Sequence, residues 1–166
     1  IEHGSIGIWG GAPADLCTSN AFFGCARTAQ GSNVNNPILS GRIRSVNSFS
    51  FQYGRFEVRA KMPTGDWIWP AIWFLPKYNE YGTWPLSGEI DLVESRGNPV
   101  TCAAQGVNWF GTTLHLGPDW KNDNWEPFHA EHMHTESLAN DFHTYGLYWD
   151  EHQLYSYFED ESQKVL

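Results

Sequence analysis

The chain has 166 residues, room for one domain with a real core and too few for two comfortable ones. Ten Lys and Arg against nineteen Asp and Glu leave a net charge of −9, which argues against nonspecific attraction to nucleic acid or to an anionic membrane. Charged residues, at 17%, are too sparse for a disordered acidic tail, and an aromatic content of 16% with nine Trp implies either an aromatic core or rings lining a binding surface.

No secretory leader precedes Ile1 and the chain does not begin with Met, so it reads as a processed or excised piece. Residues 1–40 read as strand fragments and a long loop. Within them Cys17 and Cys25 stand eight apart in a polar, Gly-rich stretch. That spacing fits a small disulfide loop, and with it an oxidising, extracellular setting; the alternative is three reduced thiols. Cys102 is then left over.

Residues 49–62 read as a strand, with Phe56, Val58, Ala60 and Met62 alternating with Arg55, Glu57, Arg59 and Lys61. The turn signal Pro63-Thr64-Gly65-Asp66 follows. Residues 67–75 alternate two non-polar faces, Trp67, Trp69, Ala71, Trp73 and Leu75 on one and Ile68, Ile72 and Phe74 on the other. Such a strand is covered by a second layer or faces something that favours aromatic rings. Pro70 interrupts its apolar run, so it does not span a bilayer. Residues 78–85 read as a loop. Residues 88–94, 107–116 and 143–159 are further strand regions, and a short helix is expected somewhere in 128–138. Many strands at short intervals and few helices predict an all-β sandwich.

The most informative segment is Ser87-Gly88-Glu89-Ile90-Asp91-Leu92-Val93-Glu94. On a strand Glu89 and Asp91 share a face, and Ile90 and Leu92 point into a core. Strict alternation sends Glu94 to the core side, where an unpaired carboxylate is costly. One extra residue, a β-bulge near Leu92-Val93, returns Glu94 to the face of Glu89 and Asp91. Three acids then crowd one strip of sheet and raise at least one pKa. A glycosidase needs this: one ionised carboxylate to attack the anomeric carbon and one protonated carboxyl to serve the leaving oxygen, roughly 5–5.5 Å apart in retaining enzymes. Asp91 between them can share a proton and set the two apart. The plain alternative is a solvated acidic edge strand.

The neighbours favour the chemistry. Trp84 lies five residues before Glu89, and Trp69 and Trp73 share a face of the preceding strand. Indole rings stack on the apolar faces of sugars while acids take the hydroxyls. Glu57 and Arg59 either bond sugar hydroxyls or form a solvated face. His129, His132 and His134 lack the His-Glu-x-x-His helix spacing, so they read as titratable histidines of a loop rather than as a metal site. No Gly-x-Ser-x-Gly elbow and no basic patch occurs.

Residues 51–61 (Phe-Gln-Tyr-Gly-Arg-Phe-Glu-Val-Arg-Ala-Lys), 65–73 (Gly-Asp-Trp-Ile-Trp-Pro-Ala-Ile-Trp) and 81–98, which carry the acid motif behind Trp84-Pro85, resemble glycoside hydrolase family 16. Weaker similarity runs through 14–25, 113–118 and 141–149. The branch is that of invertebrate endo-β-1,3-glucanases (laminarinases) and the related β-1,3-glucan recognition proteins. The resemblance implies a concanavalin-like β-jelly roll of two antiparallel sheets with a cleft across the concave one. It implies retaining hydrolysis of internal β-1,3 bonds in glucans such as laminarin. By motif position Glu89 is the nucleophile, Asp91 its helper and Glu94 the acid/base, with Glu57, Arg59, Trp69, Trp73, Trp84 and His115 lining the cleft. In much of the recognition branch the two catalytic glutamates are replaced, whereas here both stand; the alternative is a non-catalytic β-1,3-glucan recognition protein of innate immunity. Members carry further strands after the segment matching 142–149, so residues 1–166 read as a partial catalytic domain lacking its C-terminal strands. The expected partner is a β-1,3-glucan polysaccharide met by an extracellular monomer, with no nucleic acid, membrane, catalytic metal or cofactor, and with room for a structural calcium.

Overall fold

The computed structural model describes residues 5–7, 26–32, 34–35, 40–46 and 48–166. Cys17 and Cys25 lie outside the described residues, and Cys102 is a free thiol. The chain divides into two units, Ile1–Arg44 and Ser45–Leu166. The first holds an antiparallel pair, β1 (Ser5–Gly7) and β2 (Ala26–Thr28), with Ser5 opposite Thr28.

The second unit holds two antiparallel sheets. One has the order β3-β8-β9, from Gly54–Ala60, His143–Trp149 and Leu154–Phe158. The other has the order β4-β5-β6-β7, from Ala71–Phe74, Glu89–Ser95, Trp109–His115 and His129–Met133. Period-2 alternation explains how they stack. Phe56, Val58 and Ala60 of β3 and Tyr145, Leu147 and Phe158 of β8 and β9 meet Ile72, Phe74, Ile90, Leu92, Val93 and Phe110 of the second sheet in one core. Each large side chain fully withdrawn from water there contributes about 1.5–3 kcal/mol.

Apart from β5, the predicted strand regions are shortened or split, and backbone chemistry says why. β3 starts at residue 54 because Tyr53, just ahead of it, takes a positive φ of 65°, which breaks the extended run. β4 starts at residue 71 because Trp67 also has positive φ, 73°, and Pro70 has no N–H to give a ladder. The region 143–159 is two strands, because the Asp150 side chain accepts the N–H groups of His152 and Gln153 and turns the chain. The helix expected in 128–138 is a correction: a 3-10 turn, Glu126–Phe128, leads directly into β7. Ala130 and His132 lie opposite Thr112 and Phe110, so this segment follows period 2 and pairs as an edge strand.

The central feature is an irregularity in β5. Against β6, Asp91 faces Thr113 and Glu94 faces Gly111, so β5 advances three residues while β6 advances two. Against β4, Trp73 faces Asp91 and Ile72 faces Val93, which drops Leu92 from that ladder as well. This is a β-bulge at Leu92-Val93, and both bulged side chains are buried. The carbonyl of Leu92 accepts the Thr112 hydroxyl at 2.8 Å, and the Ser156 hydroxyl donates to Thr112 Oγ1 at 3.0 Å from the opposite sheet. The polar group exposed by the bulge is thus satisfied inside the core.

Candidate active site

The bulge decides which way Glu94 points. Glu89, Asp91 and Glu94 lie opposite His115, Thr113 and Gly111. These three are alternate residues of β6, so all three acids occupy the face turned away from the core. Trp73 stands opposite Asp91 on β4 and shares this face, since its neighbours Ile72 and Phe74 pack inward.

Each end of the strip is built differently. Gly88 takes a φ of 83°, a conformation that suits glycine, just before Glu89. The loop ahead of it closes on itself: Ser87 Oγ donates to the Gly82 carbonyl at 2.7 Å and accepts the Tyr81 N–H at 3.2 Å. This sets the Trp84 indole so that its Nε1–H donates to Glu89 Oε2. His115 lies beside both, its ring 5.6 Å from that of Trp84. Its Nε2 is 3.1 Å from Asp91 Oδ2 and its Nδ1 2.6 Å from Asp123 Oδ2. Asp123 Oδ1 also accepts the Leu116 N–H, so the loop after β6 clamps the imidazole. At the other end Trp69 is 62% exposed and carries the Arg96 guanidinium 4.3 Å over its ring.

The crowding has the electrostatic result expected of it. Burial, then the charges of Glu89 and Glu94, push the Asp91 carboxyl up to about 7, against the pull of His115. Burial also raises Glu89, with the Trp84 N–H and His115 opposing it and Glu94 and Asp123 adding to it. For His115 burial favours the neutral ring, but the hydrogen bond and charge of Asp123 and the charges of Asp91 and Glu89 outweigh it and raise its pKa. Asp91 and His115 therefore compete to keep a proton, and their contact lets them share one.

Of the nine residues predicted for the site, the structure brings six together, sets a seventh beside them and places two elsewhere. Glu89, Asp91, Glu94, Trp73, Trp84 and His115 come together, and Trp69 flanks the Glu94 end. Glu57 and Arg59 are corrections. They sit on β3, opposite Gly146 and Thr144, on the outer face of the other sheet. Glu57 is taken up there by the Tyr157 hydroxyl at 2.6 Å and by Arg55 at 2.9 Å, and Arg59 lies over the Phe142 ring. Both carboxylate and guanidinium faced a polar side, as the alternation said; it was the far side of the sandwich.

Asp123, Thr113, His129 and Glu131 belong to the acid face and were not foreseen. His129 Nδ1 is 2.9 Å from Thr113 Oγ1, and Nε2 is 3.4 Å from Glu131 Oε1. The alternation of His129 and Glu131 was the available signal, and reading the segment as a helix concealed it. His132 does not join this group; it packs on Phe110 and Phe158. Among the described residues no set of His, Cys, Asp and Glu is arranged to hold a metal ion.

Residues 26–166 match the model of glycosyl hydrolases family 16. The chain is 47% identical over its whole length to a β-1,3-glucan-binding protein of Penaeus monodon, of which it spans 46%. It is 38% identical over 72% of its length to glucan endo-1,3-β-glucosidase A1 of Niallia circulans, of which it spans 17%. The fold superposes on a family 16 endo-glucanase from Bacteroides ovatus with a TM-score of 0.61 at 28% identity, covering 74% of this chain and 50% of that one. The chain thus spans less than half the length of these two curated relatives. A bulged strand with three carboxylates on its outer face, in an all-β sandwich whose sequence matches the family model over residues 26–166, places the chain in glycosyl hydrolase family 16.

Proposed function

We propose that this domain hydrolyses internal β-1,3 bonds of glucans such as laminarin, with retention of configuration. The observation that carries the reading is the β5 bulge, which gathers Glu89, Asp91 and Glu94 on one face. A glucan chain lies over that face with indole rings of Trp73, Trp84 and Trp69 around it. The Glu89 carboxylate attacks the anomeric carbon as the glycosidic bond breaks, and Glu94 delivers its proton to the departing oxygen. Glu89 is then esterified to the sugar. Glu94, now ionised, takes a proton from water, and the water oxygen displaces Glu89 from the anomeric carbon.

Asp91 is the proton reservoir between the two. Held up to about 7, it carries a proton near neutrality, which spares Glu89 a second full negative charge beside it. The Trp84 N–H favours the ionised form of Glu89, the form needed for attack.

The test is Glu89→Gln in the full chain. Reducing-sugar release from laminarin is expected to disappear while glucan binding persists. Undiminished release would remove the assignment. Glu94→Gln is expected to lower turnover about 10²–10⁴-fold, the range for loss of a general acid/base.

A second reading has one specific support, the 47% identity to a protein named for glucan binding rather than cleavage. In that reading the same groove holds β-1,3-glucan without cutting it. Shorter oligosaccharides appearing on incubation of the wild-type chain with laminarin decide for hydrolysis; unchanged polymer with retained binding decides for recognition.

A further inference from the structure

The registers of the four-stranded sheet define a path across it. Trp73, Asp91, Thr113 and His129 lie opposite one another in a single row from β4 to β7, and Ala71, Glu94, Gly111 and Glu131 form the next row. Glu89 and Glu94 stand at the two ends of the acid strip. A glucan whose scissile bond lies between them passes over Asp91 and crosses the strands rather than following β5.

On the β6 side this path has a low floor. Thr113 is small and buried, and Gly111 has no side chain. A Cβ on Gly111 would come within 2.8 Å of His129 Cε1, so the imidazole leans over the backbone of Gly111. Its orientation is set on both nitrogens. A carboxylate only accepts, so Nε2 facing Glu131 carries the proton and Nδ1 accepts the Thr113 hydroxyl. Trp125 meets the ring edge-on at 5.6 Å and 84°. Glu131 keeps its side chain 54% exposed and its Oε2 has no hydrogen bond among the described residues. A locked imidazole, an open carboxylate and a half-exposed indole at the end of the path form a donor, acceptor and stacking set suited to a pyranose.

We infer that His129, Glu131 and Trp125 form an outer sugar subsite on the edge strand, which grips the same β-1,3-glucan chain beyond the cleavage point. Strands lie about 4.8 Å apart, close to the advance of one sugar along the chain, so β7 sits about two sugar units from β5. This subsite rests on the glucan reading above and deepens it. It serves catalysis and recognition equally, because it acts through binding.

Calorimetric titration of Glu89→Gln protein with linear β-1,3-gluco-oligosaccharides tests it. Affinity is expected to rise from the tri- to the hexasaccharide. Adding His129→Ala, Glu131→Gln or Trp125→Ala is expected to cut that gain about tenfold, the loss of one well-made polar or stacking contact. Trp125 lies outside the sheet ladder, and Glu131→Gln preserves shape, so neither depends on the strand refolding. A full gain in all three overturns the subsite and leaves the glucan reading standing. Loss in Trp125→Ala alone overturns the His129–Glu131 assignment. Failure of the parent protein to bind any of these oligosaccharides overturns the glucan reading and the subsite with it.

Discussion

Trp84 touches the proposed chemistry through one hydrogen atom. Its indole N–H donates to Glu89, and this opposes the burial that raises the same carboxyl. Trp84→Phe keeps a ring beside His115 and removes the donor. The Glu89 carboxylate then loses a stabilising partner and its pKa rises further. The acidic limb of the kcat/KM profile on laminarin is expected to move to higher pH, since attack needs the ionised form. An acidic limb left in place would separate Trp84 from the charge state of Glu89. The sequence placed Trp84 near the acids by proximity alone. Which atom it presents depends on a loop closed by Ser87, and no pattern of residue types encodes that closure.

At the scale of the element, the bulge in β5 is the unit of design. It was legible in the sequence because Glu89, Asp91 and Glu94 cannot share a face of a regular strand, and a buried Glu94 would be unpaired. Its support was not legible. The displaced Leu92 carbonyl is met by Thr112, and Thr112 by Ser156 from the other sheet. The residues are far apart in the chain, and Ser and Thr carry no signal of such a partnership. Thr112→Val keeps the shape and removes the hydroxyl. It is expected to cost about 1–3 kcal/mol in denaturant unfolding, the penalty for leaving a buried carbonyl and the Ser156 hydroxyl short of a partner. Activity on laminarin is expected to fall with it, because Glu94 loses the prop behind its strand. A variant with wild-type stability would show that the bulge holds itself. β7 teaches the converse. Its five residues are too few to distinguish a strand from a helical turn by period, and pairing with β6 made the choice.

For the whole molecule, the buried acids cost stability in a pH-dependent way. Asp91 is raised in the fold above its ordinary 3.8, so the folded state holds this proton more tightly than the unfolded chain does. The stability it confers is present in acid and is lost as pH rises from about 4 through about 7. His115 and Glu89 are also raised and act in the same direction. The exposed carboxylates that are lowered, Glu57, Asp119, Asp150 and Asp160, contribute stability that is lost only as pH falls below the ordinary carboxylate range. Thermal melting is therefore expected to give a higher Tm near pH 5 than near pH 8. Asp91→Asn, which stays neutral, is expected to gain on the wild type steadily across that interval. A difference between the two proteins that does not change with pH would contradict the raised Asp91.

By itself the sequence determined the all-β class, the strand alternation, the acid strip and its bulge, and the aromatic company around it. These follow from local rules: a side-chain period of two, the cost of a buried charge, and turn residues that interrupt extended backbone. Only the tertiary structure decided which sheet each strand joined. Glu57 and Arg59 alternate as faithfully as Glu89 and Asp91, yet they face outward from the opposite side of the sandwich. Alternation says that a residue points away from the core; it does not say from which of two sheets. The same step from strand to sheet brought His129 and Glu131 into line with Asp91 and Glu94, because register is set by pairing between strands distant in the chain and not by any one of them alone.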